Sequence, residues 1–396
     1  MTATDEYTCM PASAFPAGLL SAHTRETIPD ARLVVIVPAH NEAVQLPSTI
    51  ASLRRQTRVP DEIIVVSDNS TDDTVAVARR LGVTVTRTVD NRARKAGAIN
   101  QVLTGILAGD GPDFFVMVMD ADTELSPRWM ETAARELTDD PRAVVGGTYL
   151  GSEARSGDDL GRASRLYQDL VRQFQINEFV RASRLQLRKG RRSVWCLSGT
   201  GTMARASMLR AVASERGHRL PGRHGEVYDA GSSTEDFELT LASRTLGYRC
   251  VIPKGCDSRT EVMPTMRAWF KQRLRWQFGT LESLLDYGFN RVTWGWKGWA
   301  RQTLFHVRFL GQFLLWFVLA HALMTSGATF PPYILACLAV VYAERLISVW
   351  GAGWRGRLLA ALLLPEFLYG VSEGAYLFAA IWKIGRGKPL TDWGHI

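Results

Sequence analysis

Two aspartates, Asp120 and Asp122, stand one residue apart directly after the apolar run 114–119. Because the chain turns where a buried strand ends, both carboxylates can reach one hard divalent cation, Mg²⁺ or Mn²⁺. Such a cation keeps positions open for phosphate oxygens. An isolated pair of this kind more often caps a loop, so the metal interpretation depends on the strand and on the other motifs. We expect Asp122 to be the direct ligand.

Three further polar signatures accompany this pair in a fixed order. Asp68 ends an apolar run at 62–67, Thr-Glu-Asp occupies 234–236, and Gln-Arg-Leu-Arg-Trp occupies 272–276. The first, fourth and fifth residues of the last motif share one helix face, since they are spaced i, i+3, i+4. Position 272 lies about 200° around the helix from Phe270, on the side away from the apolar stripe of 266–285, which can rest on membrane or on neighbouring helices. Each motif alone is weak, but their combination is specific.

The elements that must position these residues alternate along the chain. Short β-branched runs predict strands, and apolar residues at helical spacing predict the helices between them, which together give a mostly parallel sheet with helices on both faces. The predicted strands are 32–38, 62–67, 83–86 and 114–119, and the predicted helices are 44–56, 73–81 and 158–183. Ligands of such sheets bind beyond the carboxyl ends of the strands, where Asp68 and Asp120 both lie.

Together the four motifs resemble those of the membrane-integrated inverting glycosyltransferases of family 2, which include poly-N-acetylglucosamine, cellulose, hyaluronan and chitin synthases. The resemblance covers roughly residues 32–285, with a looser match through the tail. It implies an α/β fold of the GT-A type, a nucleotide-sugar donor and a divalent metal. It also implies a single displacement that yields a β-linked product.

For the donor, the resemblance implies that Asp68 recognises the uracil base, although Ser67 stands where the family usually has a second aspartate. Pro38 and Glu42, from Pro-Ala-His-Asn-Glu, match the segment that holds the nucleoside. Lys95 matches a lysine that helps to place the donor; the alternative is an exposed cation at a helix start. Asp120 is expected to contact the ribose, or the metal through water.

For the transfer step, Asp236 matches the family's general base, and Glu235 is expected to tune or orient it. An acceptor hydroxyl is a poor nucleophile near neutral pH, so a base aimed at it from the side opposite the leaving group is required. Arg275 is expected to neutralise the diphosphate leaving group, Trp276 to stack on the acceptor sugar, and Gln272 to hydrogen-bond acceptor or donor.

The stretch 195–204 resembles the family's small-residue loop at the acceptor end, where glycines let the backbone approach a sugar. The residues expected to bind the acceptor are Ser198, Gly199, Thr200 and Gly201. The stretch lacks the third glycine of a dinucleotide fingerprint. Five scattered cysteines have no zinc-ligand spacing and imply no disulfide framework, which fits a reducing compartment.

Three apolar segments at 309–325, 332–349 and 357–382 are each near the length that crosses a bilayer. The uncharged linker 326–331 is expected outside the cell and the arginines at 355 and 357 inside. The third segment either crosses or bends at Pro365 and returns; we favour three crossings slightly. The alternative of buried helices in a soluble protein is kept.

Composition supports a membrane-facing enzyme. The 396-residue chain carries a net charge of +8, with basic residues concentrated at 188–192 and 271–308, next to the tail. Tryptophans at 294, 296 and 299, mixed with basic residues, suit a segment that lies on the bilayer. A nucleic-acid-binding protein would instead interleave aromatic and basic residues along a soluble face, so no nucleic acid is expected.

The sequence therefore predicts a lead-in at 1–30 without a secretory signal, a catalytic domain at 31–262, interfacial helices at 263–306, membrane segments at 307–384 and a tail at 385–396. We expect a multi-pass inner-membrane enzyme with a cytoplasmic catalytic domain that builds a polysaccharide from UDP-N-acetylglucosamine or UDP-glucose. Since we expect none of the leading membrane helices of polymer synthases here, the alternative is non-processive transfer to a lipid, protein or other surface acceptor. A homo-oligomer is left open.

Overall fold

The computed structural model of the protein describes residues 31–109, 111–152, 162–188, 194–294, 298–326 and 332–387. Several sequence predictions fall outside these residues: the lead-in 1–30, most of the basic cluster 188–192, Trp296, most of the linker 326–331 and the end of the tail.

The catalytic region alternates strands and helices, as predicted. Its strands are β1 (Leu33–Ala39), β2 (Glu62–Ser67), β3 (Thr84–Arg87), β4 (Phe115–Val118), β5 (Thr123–Leu125), β6 (Ala143–Gly146), β7 (Thr148–Ser152), β8 (Thr202–Arg205), β9 (Arg249–Val251) and β10 (Asp257–Glu261). Its helices are α1 (Leu46–Arg54), α2 (Thr74–Arg80), α3 (Arg94–Ile106), α4 (Trp129–Asp139), α5 (Arg162–Arg188), α6 (Ala206–Glu215) and α7 (Glu235–Thr245).

Five helices follow in the C-terminal part of the described chain. They are α8 (Met266–Tyr287), α9 (Trp299–Ser326), α10 (Pro332–Ser348), α11 (Gly353–Ala361) and α12 (Leu363–Gly385), with a 3₁₀ turn at Trp350–Ala352 ahead of α11.

The main sheet of the described residues has the strand order β3-β2-β1-β4-β8-β6-β9. β8 runs antiparallel to both neighbours, and the other neighbouring pairs are parallel, so the predicted mostly parallel sheet is confirmed. β1 is buried along its whole length because helices cover both faces. The register pairs Ala39 with Ser67 and Ile36 with Val118, so β1, β2 and β4 end at one edge.

A small second sheet, β5-β10-β7, stands beyond that edge. β5 follows the Asp120–Asp122 turn immediately, and its Thr123 pairs with Thr260 of the antiparallel β10. This pairing brings Glu261, at the end of β10, towards the aspartate pair. The second sheet therefore forms one wall of the site.

The apolar stripe of α8 is buried against protein. Trp269 is fully buried in a cluster with Phe174 of α5 and with Tyr369, Tyr376 and Leu377 of α12. The sequence left open whether this stripe rests on membrane or on neighbouring helices. In the structure it packs on neighbouring helices, so α12 is joined to the catalytic region.

The expectation of about three membrane crossings is only partly met. Among the described residues, one helix is long and apolar enough to cross a bilayer, at Trp299–Thr325, and none of its most apolar stretch is buried. The predicted third segment is not one continuous helix: it breaks at Leu362 into α11 and α12, which are bent by 96°. The break precedes Pro365 by three residues, and treating the bent pair as one span gives at most two.

Candidate active site

Asp68, the residue expected to recognise the base, lies where β2 ends. Its backbone N–H donates to the carbonyl of Ala39 in β1 at 2.8 Å. Its Oδ1 accepts from Thr88 Oγ1 at 2.9 Å, Asn91 Nδ2 at 2.8 Å and Asn69 Nδ2 at 3.0 Å. These three donors hold the carboxylate in one orientation at the edge where β1, β2 and β4 end.

The loop after β1 is tied to the loop after β2 by an asparagine. Asn41 adopts a left-handed φ of 58°, a conformation that asparagine tolerates better than most residues. Its Oδ1 accepts from the backbone N–H groups of Thr71 at 2.8 Å and Asp72 at 3.3 Å. Pro38, a predicted donor-binding residue, lies inside the buried strand β1 opposite Val66.

The negative charges of Asp120 and Asp122 act on the carboxyl group of Glu42, and the sequence did not indicate this proximity. Burial, followed by the negative charges of Asp122 and Asp120, raises the pKa of Glu42 to about 8. Its backbone N–H donates to Thr74 Oγ1 at 2.8 Å, which fixes the start of the loop. Glu42 therefore faces the expected metal site.

Asp122 is the more enclosed member of the pair. Its Oδ1 accepts from Thr123 Oγ1 at 3.2 Å, and its Oδ2 accepts from Thr260 Oγ1 at 3.3 Å. Burial raises the pKa of Asp122 to about 7, and the charges of Asp120 and Glu261 add to this effect. Glu261 was missed from the sequence because only the pairing of β5 with β10 places it here.

These residues fit a divalent cation. Asp122, Asp120, Glu42 and Glu261 are all oxygen donors, the class that Mg²⁺ and Mn²⁺ prefer. Like charges that raise one another's pKa are stabilised when a cation arrives. Within the described part of the chain, no three acidic, histidine or cysteine side chains already form a metal cage. The remaining positions would fall to phosphate oxygens and water.

Lys95 links Asp120, at the expected metal site, to Glu235 of the Thr-Glu-Asp motif. Its Nζ lies 2.5 Å from Asp120 Oδ1 and 2.6 Å from Glu235 Oε1. Burial lowers the pKa of Lys95, but the charges of Asp120 and Glu235 outweigh it and hold that pKa well above its usual value. Only 16% of the side chain is exposed, so the alternative of an exposed helix-start cation is wrong.

Gly199 contacts Asp120, on the expected donor side of the site, and Asp236 of the Thr-Glu-Asp motif. Its carbonyl accepts from the backbone N–H of Asp120 at 3.0 Å, and its own N–H donates to Asp236 Oδ2 at 3.1 Å. A Cβ at this position would lie 2.8 Å from Lys95 Nζ and 2.9 Å from Asp120 Oδ2. Any side chain here would therefore displace the charged cluster, which consists of Lys95, Asp120, Glu235 and Asp236.

The other predicted acceptor residues have structural contacts. Ser198 and Thr200 are both buried, and their hydroxyls hydrogen-bond each other at 2.7 Å. A Cβ on Gly201 would approach Met117 and Trp129 of the core. Of the four predicted residues, the structure brings Gly199 into the charged cluster.

Asp236, the expected base, lies in the first turn of α7. Its Oδ1 accepts from the backbone N–H of Phe237 at 2.7 Å, and its Oδ2 is held by Gly199. Burial and the charge of Glu235 raise the pKa of Asp236 to about 6. Burial also acts on Glu235, but the Lys95 ammonium outweighs it and lowers the pKa of Glu235. The two neighbouring carboxylates thus differ in proton affinity.

Glu238, the other carboxylate of this stretch, is removed from the site. It is buried on α7, and its carboxylate pairs with both terminal nitrogens of Arg216, at 2.5 and 2.7 Å. Tyr287 donates to it at 2.6 Å. These contacts tie α7 to Arg216 and Tyr287 and leave Glu238 without a place in the site.

α8 approaches the Thr-Glu-Asp motif through a glycine. A Cβ on Gly279 would lie 2.5 Å from Thr234 Oγ1 and 2.6 Å from Thr234 Cγ2. The Arg275 guanidinium helps to lower the pKa of Glu235, after the larger effect of Lys95. The positive charge of Arg275 therefore acts on Glu235.

Arg273, the second residue of the motif, was missed. It is 2% exposed and pairs with Glu178 of α5 through Nε at 2.9 Å and Nη2 at 3.1 Å. Its guanidinium lies 4.3 Å from the centre of the Trp276 ring and also donates to Gln272 Oε1. Glu178 accepts from Tyr369 of α12 as well. The helical spacing set Arg273 apart from the face shared by Gln272, Arg275 and Trp276 but did not indicate its partner Glu178.

Comparison with known proteins agrees with this geometry. Residues 34–212 match the family described as glycosyl transferase family 2. The 4,4'-diaponeurosporenoate glycosyltransferase of Staphylococcus aureus (strain MRSA252) is 42% identical over 59 residues, 15% of this chain and 16% of that protein. The match thus spans about a sixth of the length of these curated relatives.

Among solved structures, the chain is similar to the mannosyltransferase PcManGT from Pyrobaculum calidifontis, whose structure contains GDP-Man and Mn²⁺. The TM-score is 0.52 and the sequence identity 19%, over 89% of this chain and 86% of that one. This likeness supports the α/β GT-A fold.

Proposed function

We propose that the protein is a metal-dependent, inverting glycosyltransferase that moves a sugar from a UDP-sugar to a hydroxyl acceptor. The expected donors are UDP-N-acetylglucosamine and UDP-glucose. The observation that carries the proposal is the bridge of Lys95 between Asp120 and Glu235, with Gly199 bonded to both Asp120 and Asp236. This arrangement joins a donor site and an acceptor-activating carboxylate in one cluster.

The donor would enter at the carboxyl ends of β1, β2 and β4. Asp68, oriented by three donors, is placed to accept from the imide N–H of uracil. Asp122, with Asp120, would hold Mg²⁺ or Mn²⁺, which supplies charge neutralisation for the diphosphate. The structural relative with GDP-Man and Mn²⁺ supports this pairing of nucleotide and metal.

Asp236 would take the proton of the acceptor hydroxyl. Both of its oxygens are held by backbone N–H groups, so the carboxylate keeps one orientation. A base whose pKa is near 6 is ionised at neutral pH yet basic enough to share a proton in the transition state. The attacking oxygen would then displace the diphosphate from the opposite side of the sugar ring.

Arg275 would stabilise the departing diphosphate, and Trp276 would offer its ring to the acceptor sugar. A guanidinium forms paired hydrogen bonds with phosphate oxygens, which an ammonium cannot. Because Arg273 lies over the Trp276 ring at 4.3 Å, the ring has a fixed orientation before any acceptor arrives.

The product is a β-linked polysaccharide in our first interpretation. The second candidate is non-processive transfer to a lipid, protein or other surface acceptor. It is favoured by the finding that the described residues hold one helix suited to span a bilayer, or two if the bent pair is one span. In both cases we place the catalytic domain on the cytoplasmic face of the inner membrane.

The test is an incubation of purified, detergent-solubilised protein with a panel of UDP- and GDP-sugars and Mn²⁺ or Mg²⁺, followed by mass spectrometry. A ladder of products supports the polymerase, and single additions support the second candidate. The matched control is Asp122→Asn, which changes one oxygen and keeps the volume. No transfer from any nucleotide sugar by the wild-type protein would refute the proposal.

A further inference from the structure

The short helix α11 (Gly353–Ala361) exposes an apolar face that no described part of the protein covers. Trp350, Trp354, Leu358 and Leu362 are spaced four residues apart, and between 51% and 68% of each is exposed. We call these four side chains the α11 face. On α11 itself Trp354 and Leu358 lie one above the other. Trp350 stands in the 3₁₀ turn before the helix and Leu362 at the break after it, and the four side chains together are the apolar ridge.

The opposite side of α11 is fixed to the catalytic region. Asn177 Nδ2 of α5 donates to the carbonyl of Gly356 at 3.1 Å. A Cβ on Gly356 would lie 2.4 Å from Asn177 Oδ1, so α11 and α5 touch through a glycine. α5 is in turn joined to the second sheet by the hydrogen bond of Ser183 Oγ to the carbonyl of Tyr149 at 3.1 Å.

The contact between α11 and α5 limits how deeply α11 can enter a membrane. The part of α5 beside it carries Gln173, Asn177 and Arg181, which hydrogen-bond within the protein and are costly to place in hydrocarbon. Contact with these polar side chains favours a place for α11 at the membrane surface over one in the bilayer core. The 96° bend between α11 and α12 agrees, because it turns α11 away from the axis of α12.

Cations stand beside the apolar ridge. The guanidinium of Arg357 lies 4.5 Å from the centre of the Trp350 ring, and that of Arg355 lies 5.6 Å from the Trp354 ring. The segment 350–362 contains these two arginines and no acidic residue. Tryptophan and arginine side by side on an apolar ridge match a phospholipid surface, where rings enter the headgroup layer and guanidinium groups meet phosphates.

We propose that the α11 face lies flat in the headgroup layer of the membrane, with Arg355 and Arg357 on lipid phosphates. α11 then holds the catalytic region at a fixed height above the bilayer. This inference concerns attachment and is independent of the sugar, the metal and the acceptor.

The test is the depth of three labelled positions on the ridge. Trp354→Cys, Leu358→Cys and Leu362→Cys are made singly in the full chain, with Cys9 and Cys337 replaced by serine, and are labelled with the fluorophore NBD. The proteins are placed in vesicles of phosphatidylcholine and phosphatidylglycerol. Quenching is compared for nitroxide at the headgroup and nitroxide near the middle of the acyl chain.

A helix in the plane of the surface gives the same depth at all three sites, with stronger quenching from the headgroup nitroxide. A crossing helix instead changes depth by about 6 Å every four residues, so quenching would step from 354 to 362. Stepped depths, or labels that no nitroxide quenches, would overturn the proposal. The second of these results would leave the face to a protein partner or to water.

Three controls calibrate the measurement. Val59→Cys, exposed in the loop before β2, reports a label in the catalytic region, outside the C-terminal helices. Phe317→Cys, 70% exposed on α9, reports the depth of the candidate span. The same chain without an introduced cysteine measures the background from Cys196, Cys250 and Cys256. Because the three ridge positions are exposed, their substitution leaves packing intact, and agreement among them guards against one misfolded variant.

Discussion

At the scale of single residues, the site is a lysine held between two carboxylates, with a third carboxylate beside the second. Asp120 and Glu235 flank Lys95, and Asp236 follows Glu235 directly. The ammonium keeps Glu235 ionised, while Asp236, which is buried beside that negative charge, retains a higher proton affinity. One lysine thus divides the two adjacent carboxylates into a fixed anion and a base.

The acid limb of the pH profile should report Asp236. The base acts when it is deprotonated, so at Mn²⁺ concentrations that keep Asp122 and Glu42 ionised, kcat/KM rises with pH up to about 6 and is level above it. Below that value it falls about tenfold per pH unit for a single ionisation. Asp236→Asn should lower transfer by about 10² to 10⁴ and leave UDP-sugar binding within a few fold, as measured by calorimetry. Loss of donor binding in this variant would give Asp236 a different role.

Replacement of Lys95 should move the acid limb of the pH profile of kcat/KM. The positive charge of Lys95 lowers the pKa of Asp236, so Lys95→Met raises this pKa and shifts the acid limb of kcat/KM to higher pH. Lys95→Arg keeps the charge and should leave the limb close to its original position, even if donor placement suffers. An acid limb that stays in place for Lys95→Met would show that the lysine does not control the base.

At the scale of elements, the Gln-Arg-Leu-Arg-Trp helix has two arginines with different duties. Arg273 is buried and pairs with Glu178 of α5, which also accepts from Tyr369 of α12. Arg275 is half-buried, and its positive charge helps to lower the pKa of Glu235. The spacing on a helix predicted Arg275 for the site, and this stays a prediction, whereas the partners of the Arg273 cluster come from elements about a hundred residues away in either direction along the chain.

Matched substitutions should separate the structural role of Arg273 from the proposed role of Arg275 in expelling the diphosphate. Arg273→Met leaves Glu178 without its cation and should destabilise the protein by about 3 kcal/mol, measured by thermal unfolding in detergent. Arg275→Met should leave the midpoint of unfolding nearly unchanged and lower both donor hydrolysis and transfer, because both reactions expel the same diphosphate. Equal loss of stability in the two variants would show that both arginines are structural.

Local patterns predicted the strands, the parallel sheet and the strand-end position of Asp68 and Asp120, because these follow from short-range periodicity. They could not predict the approach of Glu261 to Asp122, which needs the antiparallel pairing of β5 with β10. Nor could they separate a crossing segment from the bent pair α11 and α12, since both are apolar. That distinction comes from Asn177 and Gly356, which meet across 179 residues.

At the scale of the whole molecule, the C-terminal apolar segments are divided between two environments. α9 exposes its apolar residues, as a candidate span should, whereas α12 buries Tyr369, Tyr376 and Leu377 against α8 and α5. Glu366 of α12 is buried and pairs with Arg181 of α5 and Arg345 of α10. The catalytic region and α12 therefore form one packed unit.

Two aromatic residues of α12 test this division. Tyr376 is 5% exposed and Phe378 is 48% exposed. Tyr376→Ala opens a cavity against Trp269 and should cost about 3 kcal/mol, with loss of activity in parallel. Phe378→Ala is the matched control and should change the midpoint of thermal unfolding in detergent little. A larger effect from Phe378 would place the main contacts of α12 on its other side.

The central claim, single-displacement transfer by Asp236 from a metal-bound nucleotide sugar, is tested most directly by the configuration of the product. Detergent-solubilised protein would be given Mn²⁺, an acceptor and the α-linked UDP-sugar that it uses best, and the new anomeric proton would be followed by NMR from the first turnover. Our account predicts a β-linked product, no detectable product with Asp236→Asn, and none when a chelator removes the metal. An α-linked product, or full transfer by Asp236→Asn, would contradict it.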